Sequence, residues 1–139
     1  MPNPKKALIA GAGIAGLSAA IAFRLWGIES HLVEIRSALG EIGAGLHIPG
    51  NGVRALYQLG IGEAARDAGQ TFTLRIRLDA GGRWQYEEEV GAVWGPDGFH
   101  LGIYRPVLHE LLLRAANVRV RLGIEVAAID QNDRSARQI

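Results

Sequence analysis

Three glycines and one carboxylate are the first residues whose types and spacing could do chemistry. Gly11, Gly13 and Gly16 fall in the order Gly-x-Gly-x-x-Gly within "IAGAGIAGLS", Ile9 to Ser18, and Glu34 follows eighteen residues after the last of them. Each glycine answers a need of dinucleotide binding. The first lets the chain leave a strand sharply, the second removes a side chain where phosphate must approach, and the third brings helix and strand close. A helix opening near Ile14 points its free amides and the positive end of its dipole at the anion. An acid at the end of the next strand accepts hydrogen bonds from a ribose diol and repels a 2′-phosphate. NADP is thereby disfavoured, while NAD and the ADP half of FAD both fit. Gly accounts for 19 of the 139 residues, so the motif gains weight only from its context; the competing reading is glycines that serve helix packing alone.

The context is a βαβ unit. "KKALIA" reads as a buried strand over Lys6 to Ala10, after an "MPNP" leader. Ile14 to Trp26 is helical and apolar on nearly every face, with Ile14, Leu17, Ile21 and Leu25 on one stripe, which predicts a buried helix with Trp26 in the core and Gly27 as its C-terminal cap. "ESHLVEI" supplies the second strand, its apolar centre finishing at Glu34.

Arg36 to Gly52 shows no period and reads as a long loop, and loops of that length usually carry function. A helix over Val53 to Leu59 and a further turn over Glu63 to Ala68 follow. From Phe72 the period becomes two, with Phe72, Leu74, Ile76 and Leu78 on one face, and "RWQYEEE" is the expected hairpin partner across "DAGGRW". "VGAVWGPDGFHLGIY" is irregular. "RPVLHELLLRAA" is a helix with Pro106 in its first turn and Val107, Leu108, Leu111 and Leu112 on its buried face. "VRVRLG" and "IEVAAID" read as two strands, "DQND" as a hairpin turn, and the returning strand is hardly begun before Ile139.

Composition narrows the function classes. With 139 residues, 48% of them hydrophobic, the chain can bury a core, and one compact unit is expected. Fifteen basic and fourteen acidic residues give a formal charge of +1 with no like-charge run, which argues against nucleic acid as a partner. The absence of Cys removes disulfides, thiolate metal sites and a Cys nucleophile. No apolar run approaches the roughly 20 residues of a membrane span, and the start lacks a signal-peptide pattern, so no membrane partner and a cytoplasmic location are expected.

The remaining polar residues are weak candidates. His47 is a lone loop histidine before Pro49, more often a bystander or backbone contact than a base. His109 lies between apolar helix positions and reads as packing. His31 and His100 have no partners at metal spacing, so no metal site is predicted. Glu87, Glu88 and Glu89 are consecutive in a strand and cannot share a face, which indicates an exposed edge and not a carboxylate pair. Ser18 and Ser30 lack a nucleophile elbow. Trp84 and Trp94 are open between substrate contact and packing.

Three blocks in order carry a family resemblance over nearly the whole chain. "IAGAGIAGLSAAIAFRLWGIESHLVEIR" resembles the opening of the FAD-dependent aromatic-ring hydroxylases, the single-component flavoprotein monooxygenases of the para-hydroxybenzoate, salicylate and urate hydroxylase type. "GAGLHIPGNGVRALYQLGIGE" is similar to their Gly-rich loop, Pro-x-Asn turn and helix ending in Leu-Gly, and "YRPVLHELLLRAA" to their Arg-x-x-Leu-x-x-x-Leu helix.

The resemblance implies an α/β fold. It is a Rossmann-like FAD-binding βαβ domain with a parallel sheet, plus part of an inserted β-rich substrate layer over about residues 71–104. Arg105 to Leu122 would return to the cofactor layer with a third parallel strand. Residue by residue, it implies that Gly11, Gly13, Ile14, Ala15 and Gly16 meet the pyrophosphate and Glu34 the adenosine ribose. Ile35 and Arg36 would lie on the adenine side, with Val126 holding adenine through its backbone. His47 falls at the flavin end, and Arg105 contacts the cofactor.

The implied activity is hydroxylation of an aromatic or heteroaromatic small molecule, with FAD as cofactor and NADH or NADPH as co-substrate. The family's Gly-Asp and His-Pro motif is not in this sequence, so the chain reads as a truncated, amino-terminal part, inactive alone, with a homo-oligomer or a missing carboxy-terminal part as its complement. The alternative is a non-catalytic dinucleotide-binding module that needs a partner chain. An NAD-dependent dehydrogenase is the weaker enzyme reading, because the "RPVLHELL" block and the hairpin after Leu74 do not suit it. No catalytic residue is assigned.

Overall fold

The structure is a computed structural model that describes residues 6–40, 43–91, 93–94, 99–132 and 135–138. The chain forms two compact units: 1–41 with 112–139, and 42–111. Composition alone suggested one. The leader, Asp133 of the expected turn, and Ile139 lie outside the described residues.

The first unit is the expected βαβ unit with a third strand. β1 (Lys6–Ala10) pairs in parallel with β2 (Glu29–Glu34), from Lys6 opposite Glu29 to Ala10 opposite Val33. On its other side β2 pairs in parallel with β8 (Val120–Leu122), so β2 is the central strand. α1 (Ile14–Leu25) crosses between β1 and β2 and buries Leu17, Ala20 and Ile21. Spaced three and four apart, these residues share one stripe, and strand residues Ile9, Leu32 and Val33 are buried in the same unit.

Trp26, expected in the core, caps α1 at 84% exposure and Leu25 is also exposed, so the helix is buried on one stripe only. The reason is position: the chain turns at Gly27 (φ +69°) before those two residues can be covered. In place of the predicted strand over Ile124 to Asp130, β9 (Ile129–Asn132) begins late and pairs with β10 (Ser135–Gln138). Gln131 and Asn132 are therefore ladder residues and not turn residues, and the returning strand does form.

The second unit contains the larger departures from the sequence reading. Within the presumed loop 36–52, β3 (Gly45–Ile48) is a strand and α2 (Gly50–Gln58) starts already at Gly50; α3 (Gly62–Asp67) follows. Within the presumed irregular stretch, β7 (His100–Tyr104) is the middle strand of a sheet with β3 on one side and β4 (Gln70–Phe72) on the other. Both ladders are antiparallel. β3 and β7 lie about fifty residues apart and hold each other's amide groups, a partnership with no local signature.

β5 (Leu74–Leu78) and β6 (Trp84–Glu89) form the expected hairpin, turned by Asp79, whose carboxylate accepts the amides of Gly81 and Arg83 at 2.8 and 2.9 Å. Its expected apolar face is not covered in this chain: Leu74, Ile76 and Leu78 are all exposed. The glutamate row is exposed at Glu87 and Glu89, while Glu88 pairs with Arg75 of β5. α4 (Arg105–Ala116) buries Leu108, His109, Leu112 and Ala116, so His109 is a packing residue, and the face is rotated from the expected one.

Candidate dinucleotide site

In the first unit the glycine turn is built as the spacing requires. Gly11 donates its amide to Val33 O at 2.8 Å and has φ +100°, a conformation that side-chain-bearing residues avoid. Gly16 is demanded by contact: a Cβ there would stand 1.9 Å from Gly11 O and 3.2 Å from Ile9 Cγ2. Gly13 is different. A Cβ on it would meet nothing within 4 Å, so the protein itself does not need a glycine at that place.

Gly13 is also the N-cap of α1, with no side-chain cap and no acid in the first turn. The first helical bond runs from Leu17 N to Gly13 O at 3.0 Å, which leaves the amides of Ile14, Ala15 and Gly16 without intrahelical acceptors. Free donors, a positive dipole end and an open place above Gly13 form a cradle for an anion.

Glu34, at the end of β2, turns its carboxylate toward this cradle. Oε2 accepts Ala12 N at 2.8 Å and Oε1 accepts Arg36 N at 3.0 Å. The Ala12 amide, then the Arg36 amide, and more weakly the Arg36 guanidinium hold its pKa below the ordinary 4.5 against a modest opposing effect of burial. Glu34 is therefore ionised at neutral pH. Two carboxylate oxygens offer about four acceptor sites, so lone pairs remain for a sugar diol after both amides are served.

Arg36 directs Nη1 to Gly40 O at 3.4 Å, and Ile35 beside it is exposed. After β8, Gly123 N bonds to Arg36 O and Ile124 N to Glu34 O, both at 2.9 Å. That contact brings Val126 to within two residues of the strand end carrying Glu34. Gly11, Gly13, Ile14, Ala15, Gly16, Glu34, Ile35, Arg36 and the approach to Val126 are thus assembled around one end of one parallel sheet.

The other two predicted residues belong to the second unit and share one strand pair there. Gly45 stands opposite Tyr104 and His47 opposite Gly102, and Arg105 N donates to Ala44 O at 3.2 Å. Gly43 must be a glycine, because a Cβ would lie 2.4 Å from Pro106 Cδ.

His47 is not the lone loop residue that its surroundings in sequence suggested. It is on β3, and its Nε2 lies 2.5 Å from His100 Nδ1. Residues two apart share a strand face, so His100 sits diagonal to His47 past the side-chain-free Gly102, with Phe72 directly opposite His100 on β4. The three rings pack at centroid distances of 4.7 to 5.6 Å. Trp94 Nε1 donates to His100 Nε2 at 3.1 Å. Sequence reasoning missed His100 and Trp94, since 53 residues separate the histidines and only strand register joins them.

Burial first, then the nearby His47 and Arg75, lower the pKa of His100 below its ordinary 6.5, with Glu88 opposing weakly. Folding thus favours the neutral imidazole, and the unfolded chain takes up the proton first as pH falls. Stability is expected to decline from about pH 6.5 downward until the lowered folded value is reached. Urea midpoints between pH 8 and 5 should show this slope, and His100→Gln should flatten it; an equal slope in both proteins would show that His100 is not its source. Glu34 adds a second, more acid decline of the same sign, beginning near pH 4.5.

Among the described residues there is no group of His, Cys, Asp or Glu fit to hold a metal ion, and no helix long and apolar enough to cross a membrane.

Fold and site together have the form of a βαβ unit with a candidate anion cradle and a ribose-binding acid, and comparison with known proteins shows what the chain resembles. No protein-family model matches the sequence. It is 37% identical over 130 residues to 3-hydroxybenzoate 6-hydroxylase 1 of Aquipseudomonas alcaligenes, covering 86% of this chain and 32% of that protein. It is 34% identical over 128 residues to the FAD-dependent monooxygenase pynG of Aspergillus niger, covering 88% and 29%. Among solved structures, 2-methyl-3-hydroxypyridine-5-carboxylic acid oxygenase in its tetrameric form superimposes with a TM-score of 0.81 at 27% identity, over 92% of this chain and 34% of that one. Over most of its length the chain is similar to FAD-dependent hydroxylases and monooxygenases. It spans about a third of the length of the relatives it matches.

Proposed function

We propose that this chain binds FAD and forms the amino-terminal part of a monooxygenase that hydroxylates an aromatic or heteroaromatic small molecule with NADH or NADPH and oxygen. The observation that carries the reading is the first unit's cradle: an uncapped helix start, a glycine that only a ligand would require at position 13, and an ionised Glu34. In this reading the amides of Ile14, Ala15 and Gly16 take the pyrophosphate with Gly11 and Gly13 shaping the turn. Glu34 takes the ribose diol, Ile35 and Arg36 flank adenine, and Val126 holds it through backbone groups. His47 meets the flavin end and Arg105 the cofactor. Residues 71–104 would serve the substrate layer.

Bound flavin would supply the redox and oxygen chemistry; the chain's own part is to bind, orient and shield it. The likeness to 3-hydroxybenzoate 6-hydroxylase 1 and to the FAD-dependent monooxygenase pynG supports this assignment, and the aromatic substrate class comes from the first of them. A cytoplasmic setting fits such a reaction.

Titrating the purified chain with FAD, FMN and NAD, followed by flavin fluorescence and by calorimetry, tests the reading. FAD should bind and FMN bind poorly, because FMN lacks the adenosine half that Glu34 addresses. Glu34→Gln should weaken FAD and cost about 1–2 kcal/mol of stability, since a carboxamide has one acceptor oxygen where two amides need one each. Tight NAD binding without FAD binding would overturn the assignment.

The exposed apolar hairpin, with Leu74, Ile76, Leu78, Trp84 and Tyr86 uncovered, favours a second reading: a binding module without turnover until another chain or a homo-oligomeric copy covers it. Anaerobic NADH or NADPH distinguishes the two. Bleaching of bound flavin marks an enzyme, and unchanged absorption marks a module.

A further inference from the structure

Trp94, His100 and His47 form a hydrogen-bonded chain whose direction is set by its first member. An indole N–H can only donate, so the ring nitrogen of His100 that receives it, Nε2, carries no proton. A neutral imidazole then has its proton on Nδ1, the nitrogen that faces His47 Nε2 at 2.5 Å. His47 Nε2 must accept, and the proton of neutral His47 is left on Nδ1. That atom has no partner among the described residues, and the side chain is exposed.

The starting donor is firmly seated. Trp94 lies against Gly50, where a Cβ would stand 2.5 Å from the indole Cγ, and the Arg54 guanidinium lies 5.6 Å from the ring centroid on cation–π terms. Trp94 N also bonds to Gly91 O at 3.1 Å. Phe72 packs beside both imidazoles and limits their rotation.

We propose that Trp94 and His100 are positioning residues that hold His47 in the Nδ1–H tautomer, making Nδ1 of this exposed residue a hydrogen-bond donor. The orientation has a chemical consequence. His47 so held selects a carbonyl or deprotonated oxygen and rejects a hydroxyl that must donate, and it cannot act as a base through Nδ1 without reversing the whole chain against the indole. Use of this donor on a ligand rests on the flavin-end reading of His47, whereas the tautomer does not.

Long-range 1H–15N correlation of the histidine-labelled chain at pH 7.5 reads the tautomer directly. The unsubstituted protein should show His47 with a protonated Nδ1, the form that free imidazole side chains disfavour. Trp94→Phe and His100→Leu should each return His47 to the Nε2–H form. His100→Gln should keep it, since the amide has one donor and one acceptor in the ring's place. An Nε2–H His47 in the unsubstituted chain, or an Nδ1–H His47 that survives both Trp94→Phe and His100→Leu, overturns the proposal. FAD titration failing while these signals behave as stated would count against the flavin assignment alone.

Discussion

Gly16→Ala is expected to destabilise this chain by about 3 kcal/mol, the upper end of what overpacking a core normally costs. The added methyl would lie 1.9 Å from Gly11 O and 3.1 Å from Gly11 C. Both are backbone atoms of a residue whose own amide is bonded to Val33 O and whose φ is +100°, so the turn cannot swing aside as a flexible side chain could. Relief requires α1 to lift from the strands, which unseats Leu17, Ala20 and Ile21, the stripe that the helix buries. Circular-dichroism denaturation in urea should show a lower midpoint at unchanged slope. A midpoint within error of the parent would mean that helix and turn do not approach as closely as described.

Gly13→Val should behave in the opposite way, leaving the fold and removing the ligand. No atom lies within 4 Å of the Cβ position, and φ −78° with ψ −174° is extended backbone open to any residue. Replacing glycine at an N-cap with an apolar residue costs about 1 kcal/mol or less. The isopropyl group would occupy the space where phosphate oxygens must reach the amides of Ile14, Ala15 and Gly16. Hydrogen bonds to a charged group are each worth about 1.5–3 kcal/mol, so losing one or two should weaken FAD about 100-fold.

The pair of variants separates two roles within one motif. If Gly13→Val lowers the urea midpoint as much as Gly16→Ala does, the motif serves packing; if it binds FAD like the parent, the cradle holds no phosphate.

Elements stabilised by their own neighbours in sequence were legible from residue patterns. β1, α1 and β2 showed through an apolar run, a helical stripe and a second run, and Glu34 fell at the strand end that its spacing required. α4 was equally clear, with Pro106 in its first turn. Even here burial was misjudged at Trp26, because composition says that a helix is apolar but not which end runs past its covering strands.

β3 and β7 escaped because their hydrogen bonds come from each other, about fifty residues away. "GLHI" and "HLGIY" are too short and too glycine-rich to announce a ladder.

Residue types and spacing alone therefore determined the glycine turn, the acid beside it and the βαβ unit around them, since each rests on contacts within about thirty residues. Tertiary structure decided the rest. It separated a glycine needed by the fold from one the protein leaves open, and antiparallel register turned a seemingly solitary His47 into the end of a chain begun at Trp94. Register is set by long-range pairing of backbone amides, and nothing in a local stretch of side chains records it.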